Sequence, residues 1–314
     1  HYTPNGLPAG FFVSELYNSK ETKKFEKYIH PNAVYPISKS IRSQLQPDGN
    51  GLLLWALEYH IEHNRKAKSE YSELVNRLAD GICSIWSDAG YKYLIHDPWE
   101  EKVGYPGINL TYTIATSIYG LGVAERLCGK KKKWARTKEN MEETIQKAFD
   151  KNGNVSAIFG PGYTKENYKK LFSKMFTVGR FDPEVDASLF SVVWPTKIAS
   201  VEDCGNIVDS LVERLDKGGG IIRYPGDSYD GVFVQGSSFR KGGNAWPLLN
   251  FWAAICLEKM GRHKEAFEYY KWVLDRVKDY IPEQIDDKGV SKGPSPLTWS
   301  HTMFIIASKE LGFL

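Results

Sequence analysis

The chain has 314 residues, 42% hydrophobic and 25% charged, with a formal net charge of +3. That length suits one large domain or two ordinary ones, and the near-neutral balance gives no electrostatic case for nucleic acid. No apolar run reaches the roughly 18 residues that a membrane span requires, so neither nucleic acid nor a membrane is an expected partner.

Four cysteines, Cys83, Cys128, Cys204 and Cys256, show no metal or redox spacing. Cys83, Cys204 and Cys256 fall on apolar faces of helical segments and are expected in the core. A reducing, cytoplasmic compartment is the expectation. No signal-peptide pattern opens the sequence, and a first residue His1 rather than Met implies that something upstream is removed or left out. Aromatic residues make up 13%, with nine tryptophans, which suits a sugar-binding cleft or a large core.

In chain order, the spacing predicts a short helix over Phe11–Leu16 and a second from Ser19 to Ile29. Residues 30–50 are irregular and end in Gln44-Leu-Gln-Pro-Asp-Gly-Asn-Gly51. Leu52–Ile61 reads as a helix apolar on most sides. Tyr71, Leu74, Leu78, Ile82 and Ile85 then repeat at helical spacing on one face. The alternation continues. Residues 109–127 are mostly apolar and small. Residues 131–149 carry one stripe through Trp134, Met141, Ile145 and Ala148. The basic run Lys130–Lys133 opens that helix and is read as solvated surface. Residues 186–194 are apolar. Residues 200–215 carry the stripe Cys204, Ile207, Leu211, Leu215 behind a Ser200-x-x-Asp203 capping box. Residues 244–258 are apolar all round, residues 263–278 are striped through Ala266, Tyr270, Val273 and Val277, and residues 297–312 are apolar again.

A helix hydrophobic all round must be buried, whereas a striped one can face water. Alternation of the two predicts two concentric helical layers, an all-α (α/α)6 barrel with an incomplete first helix. One domain over 1–314 is expected. An open solenoid would have near-constant repeats, but the linkers at 30–50, 90–108, 151–185, 216–243 and 279–296 are long and unequal. Loops of that length are usually functional, and each of these follows an outer helix and precedes an inner one. A pocket built from them at one barrel end is predicted.

The chemistry-bearing residues sit in those loops. His96-Asp-Pro-Trp-Glu-Glu101 places two adjacent carboxylates beside an indole. Packing against Trp99 would keep one glutamate protonated as a general acid. Gly218-Gly-Gly-Ile-Ile-Arg-Tyr-Pro-Gly-Asp227 allows close backbone approach. Arg223 there either holds sugar hydroxyls or forms a structural ion pair in a tight turn. Glu283 follows Pro282, whose ring fixes its own φ, and Trp299 and His301 open the next helix. No Gly-Lys-Ser/Thr phosphate loop and no His-x-x-x-His pair appears, so no cofactor and no catalytic metal are expected.

Taken together, these stretches resemble the catalytic domain of glucoamylase-type glycoside hydrolases, family 15, over about residues 40–312. The matching residues are Asp97-Pro-Trp-Glu-Glu101, with Pro98 where the family usually has Leu; Leu110-Thr-Tyr-Thr113; Val185-Asp-Ala-Ser-Leu189; Gly219-Gly-Ile-Ile-Arg-Tyr224 with Asp227 and Tyr229; Gly243-Asn-Ala-Trp246, with Ala245 where Pro is commoner; Pro282-Glu-Gln284; and Leu297-Thr-Trp-Ser-His301. The resemblance implies an inverting exo-acting α-glucosidase that takes terminal α-linked glucose from an oligo- or polysaccharide. By position, Glu100 would be the general acid and Glu283 the general base. Trp99 and Glu101 would line the terminal-sugar subsite. Arg223, Asp227, Trp246 and Trp299 would complete the substrate-binding set. Inversion needs the two carboxyls about 6.5–9.5 Å apart.

One departure stands out. The family's first inner helix carries an Arg-Asp pair that grips the terminal sugar, and here that position falls near Leu7-Pro8. The β-sandwich domain that often precedes this barrel in prokaryotic members has no counterpart in the sequence. The alternatives are therefore a related α-glucosidase, such as a trehalase or isomaltose-type glucohydrolase, and a non-hydrolytic carbohydrate-binding barrel.

Overall fold

The computed structural model describes residues 34–37, 40–43, 45–64, 67–88, 90–172, 182–227, 229–231 and 243–314. The expected helices over Phe11–Leu16 and Ser19–Ile29, and the Leu7-Pro8 position, lie outside these residues. Two compact units are present, one from residues 1–149 and 158–163, the other from 150–157 and 164–314.

In the first unit, α1 (Asp48–His63), α2 (Ala67–Ile85), α3 (Thr111–Cys128) and α4 (Lys132–Ile145) form the frame. α3 is buried on nearly every side from Thr111 to Ala124. Its hydroxyl residues survive burial by bonding back to their own helix. Thr116 Oγ1 donates to Tyr112 O (3.1 Å) and Ser117 Oγ to Thr113 O (2.7 Å). α1 packs on α3 so closely that a methyl group on Gly51 would overlap Thr116 O, and one on Gly120 would lie 2.7 Å from Gly51 Cα. α2 and α4 are striped, as the periodicity predicts. α2 buries Val75, Leu78, Ala79, Ile82 and Ile85; α4 buries Trp134, Met141 and Ile145. Outside the helices, the described residues of this unit form short ladders. These are β1 (Val34–Ile37) with β2 (Ser40–Ser43), β3 (Trp86–Ser87) with β4 (Gly90–Tyr91), β5 (Ile95–His96) with β6 (Val103–Gly104), and β7 (Asn109–Leu110) with β8 (Ile158–Phe159), all antiparallel.

The second unit holds α5 (Lys165–Phe172), α6 (Val201–Leu215), α7 (Pro247–Lys259), α8 (His263–Leu274) and α9 (Thr298–Glu310), with β9 (Gln284–Ile285) and β10 (Ser291–Lys292) pairing as a hairpin. α7 is buried at every position from Pro247 to Leu257, and Pro247 sits at the helix start where its missing N–H costs nothing. The Ser200 box forms as expected: Ser200 Oγ accepts from Asp203 N (3.1 Å) and donates to Asp203 Oδ2 (2.7 Å).

Five expectations differ from the structure. α1 begins at Asp48, four residues before the predicted start, and buries Asp48, Asn50 and Gly51 of its first turn. Residues 186–194 form only a 3-10 helix, Ala187–Val192, closed by Pro195, which cannot continue a helix. α5 lies inside a stretch read as linker. α9 is one-sided: Ser300, Met303, Ala307 and Ser308 are buried while Ile305 is 58% exposed. Among the cysteines, Cys83 and Cys256 are buried, whereas Cys204 is only half-buried.

Candidate active site

The Trp99-Glu100-Glu101 stretch sits at the tip of the β5–β6 hairpin in the first unit. Asp97 shapes the tip. Its Oδ1 accepts from the N–H of Glu101 (2.8 Å) and of Lys102 (3.0 Å), and its backbone N–H donates to Lys102 O (3.0 Å). Glu100 N–H closes a turn on Asp97 O (3.1 Å). The turn leaves Glu100 at φ +61°, a left-handed conformation that a glutamate rarely adopts. The hairpin is tied to the segment before α1: His96 N–H donates to Leu45 O (2.9 Å) and Gln46 Nε2 to Asp97 O (3.2 Å). Trp99 is buried at 6% exposure, and Glu100 and Glu101 are half-buried.

Asp48, on the first turn of α1, faces the same electrostatic environment. It is 6% exposed and its Oδ1 has no partner among the described residues. Burial, with the nearby Glu100 as a smaller contributor, pushes its carboxyl up to about 7. Nothing in the irregular sequence around it marked this residue.

In the second unit, Asn250 of α7 is fully buried and staples the glycine turn. It donates to Gly219 O (2.7 Å) and accepts from Ile221 N–H (2.8 Å). The indole of Trp272 lies against the same turn, so that a methyl on Gly219 would come within 2.5 Å of its Cδ1. Gly219 and Gly220 therefore admit a tryptophan of α8. The turn delivers Arg223, which forms a bidentate pair with Asp227, both bonds 2.8 Å, with the two side chains 3% and 0% exposed. The structural ion pair left open by the sequence is present. The guanidinium also lies 5.0 Å from the ring of Trp246 and 5.3 Å from that of Tyr229.

Glu283 precedes β9. Tyr229 OH donates to its Oε2 at 2.9 Å. Burial raises its carboxyl above the usual range, partly offset by that hydrogen bond and by the charge of Arg223. Its backbone is clamped from α9: Ser300 Oγ donates to Pro282 O (2.9 Å), and Ile281 N–H donates to His301 Nε2 (3.0 Å). His301 thus acts on the backbone before Glu283, with its proton on Nδ1. Behind Glu283, Gln284 is fully buried and its Oε1 accepts from Asn244 Nδ2 (2.9 Å). Trp299 is half-buried in the first turn of α9.

The structure gathers Arg223, Asp227, Trp246 and Glu283 around Tyr229 in one unit, and Trp99, Glu100 and Glu101 on one hairpin in the other. Residues 34–275 match the glycosyl hydrolases family 15, and the chain belongs to that family. It is 23% identical to an isomaltose glucohydrolase of Kribbella flavida over 285 residues, 86% of this chain and 65% of that protein. The chain thus spans slightly less than two thirds of that relative. A glycosidase solved in complex with glucose shares 20% identity and a TM-score of 0.65, with 86% of this chain and 67% of that one covered. The glucoamylase of Saccharomycopsis fibuligera shares 13% identity and a TM-score of 0.58, over 87% and 70%. These likenesses give the fold, the all-α (α/α)6 class predicted from the helix alternation.

Proposed function

We propose that the chain is an inverting exo-acting α-glucosidase, with isomaltose-type oligosaccharides as the first substrates to test. The observation that carries the reading is Glu283: a carboxylate raised by burial and hydrogen-bonded by Tyr229 OH at 2.9 Å, beside the buried Arg223–Asp227 pair. A base needs a fixed carboxylate whose proton affinity has been lifted toward neutrality. Support for isomaltose comes from the Kribbella flavida relative, whose name specifies that substrate.

In this mechanism Glu100 gives its proton to the glycosidic oxygen as the bond to the anomeric carbon breaks. Glu283 takes a proton from water as that water attacks the same carbon from the opposite face. The products are β-glucose and the shortened saccharide, whose freed hydroxyl carries the proton from Glu100, with Glu100 ionised and Glu283 protonated until solvent resets both. By the family resemblance, Trp99 and Glu101 are assigned to the terminal-sugar subsite, and Arg223, Asp227, Trp246 and Trp299 to substrate binding. Arg223 acts there as a charge-neutralised donor platform, since both its bonds to Asp227 are made within the chain.

The test is glucose release with anomer detection from isomaltose, maltose, maltotetraose and trehalose. Glu100→Gln and Glu283→Gln are each expected to lower kcat by about 10²–10⁴-fold or more. The pH profile should be bell-shaped, with its ascending limb above the ordinary carboxylate range because burial raises Glu283. α-Glucose as first product, or full activity in Glu283→Gln, would overturn the mechanism. Sugar binding without release from any substrate would leave a binding barrel instead.

A further inference from the structure

We propose that Gly293 is a positioning residue for Glu283, and that it divides the labour between the two carboxylate oxygens: Oε2 is anchored, and Oε1 takes the proton. The proposal rests on the reading of Glu283 as general base. Gly293 follows β10 and returns past Glu283, whose backbone N–H donates to Pro294 O at 2.9 Å. Its φ is +70°, and a methyl group built on it would overlap Oε2 of Glu283 and lie 3.0 Å from Glu283 Cβ. A second glycine, Gly231, seals the other side of this strap: a methyl there would overlap Gly293 N. Two backbone segments thus meet where side chains are excluded, and the carboxylate of Glu283 lies against one of them.

The consequence is chemical. Oε2 is held on one side by Tyr229 OH and on the other by the Gly293 backbone. Oε1 accepts no hydrogen bond from a described residue, so it is the oxygen open to water. When water attacks, its proton bonds to Oε1 and the O–H electrons stay on the water oxygen; a lone pair of that oxygen bonds the anomeric carbon as the glycosidic C–O bond breaks, its electron pair leaving on the glycosidic oxygen that Glu100 protonates. The charged and titratable groups around Glu283 are Tyr229, Arg223 and Asp227. None of them is displaced by a proton on Oε1.

A side chain at 293 would force the carboxylate to rotate and abandon Tyr229. Gly293→Ala is expected to lower kcat by about 100-fold, the loss a misplacement near 1 Å produces, with KM changed less than about threefold. The ascending limb of the kcat–pH profile should move upward, because Tyr229 no longer stabilises the ionised carboxylate. Tyr229→Phe should move that limb in the same direction, and the double variant should move it no further. Gly289→Ala is the control. Gly289 has φ +76° on the same hairpin, but a methyl there meets nothing within 4 Å, so it carries the backbone strain without the overlap. It should keep the wild-type limb and kcat. The proposal is overturned by an unshifted limb in Gly293→Ala, by equal losses in Gly289→Ala, by additive shifts in the double variant, or by a Gly293→Ala chain that does not fold while Gly289→Ala does. Inactivity of the wild type, or activity in Glu283→Gln, would instead remove the glucosidase reading beneath it.

Discussion

Asp48 carries the clearest pH signature at the scale of one residue. Its folded-state carboxyl sits at about 7 against an ordinary value of 3.8, with burial the main cause. A raised folded value means that the native state holds its proton more tightly than the unfolded chain. The contribution is fully present below pH 4 and is lost as pH rises through 7. The span amounts to about 4 kcal/mol at its upper bound. Asp48→Asn keeps the shape and removes the titration. Urea unfolding at pH 5 and pH 8 should show the wild type losing stability between the two and the variant losing less; parallel losses would place the titration elsewhere. This residue was illegible in the sequence because desolvation is a property of what α1 packs against. Tyr229 was visible as part of a motif, but its bond to Glu283, 54 positions away, was not. Glu100, Glu283 and Arg223 stand out in the sequence as candidates because each lies in a Gly- or Pro-bearing linker beside bulky aromatics.

Among the elements, α3 shows how much the apolar pattern carries. Its small, hydroxyl-rich sequence predicted burial, and the close approach to α1 explains why small residues are needed. Two glycines of α3 separate packing from propensity. Gly120→Ala would press a methyl on the backbone of Gly51, at 2.7 Å from Cα, where nothing can yield; a loss of about 1–3 kcal/mol is expected. Gly122→Ala meets only the tip of Arg126 at 3.4 Å, so the gain in helix propensity, about 1 kcal/mol, should remain. Opposite signs in denaturant midpoint would confirm the assignment, and a gain in both would refute the close packing. Where the pattern misled, the elements are short. Residues 186–194 are apolar because they are buried, not because they are α-helical, and hydrophobicity alone cannot tell a buried 3-10 turn from a buried helix. The hairpin ladders of two residues per strand are too short to leave any alternation in the sequence.

For the whole molecule, family membership and the helix alternation agree on the fold, and the described residues of the long unequal linkers contain hairpins, turns and the helix α5. A sugar that binds only the native chain must stabilise it. At 100 times its Kd, glucose would add about 2.7 kcal/mol. For a chain of this size that is a rise in Tm of several degrees. Calorimetry with glucose, against an equal concentration of a non-binding polyol, checks it. Identical midpoints at saturating sugar would argue against a terminal-glucose subsite anywhere in the chain.

The left-handed backbone of Glu100 limits what evolution can do with the position. Glycine and asparagine adopt that conformation with little strain, but neither carries an acid. Aspartate tolerates it and carries one, but one methylene short. If Glu100 is the acid proposed above, every substitution that relaxes the turn gives up either the proton or its reach. Under the proposed role of Glu100, Glu100→Gly is expected to relax the turn and raise stability while removing the acid, a trade between fold and chemistry confined to one residue.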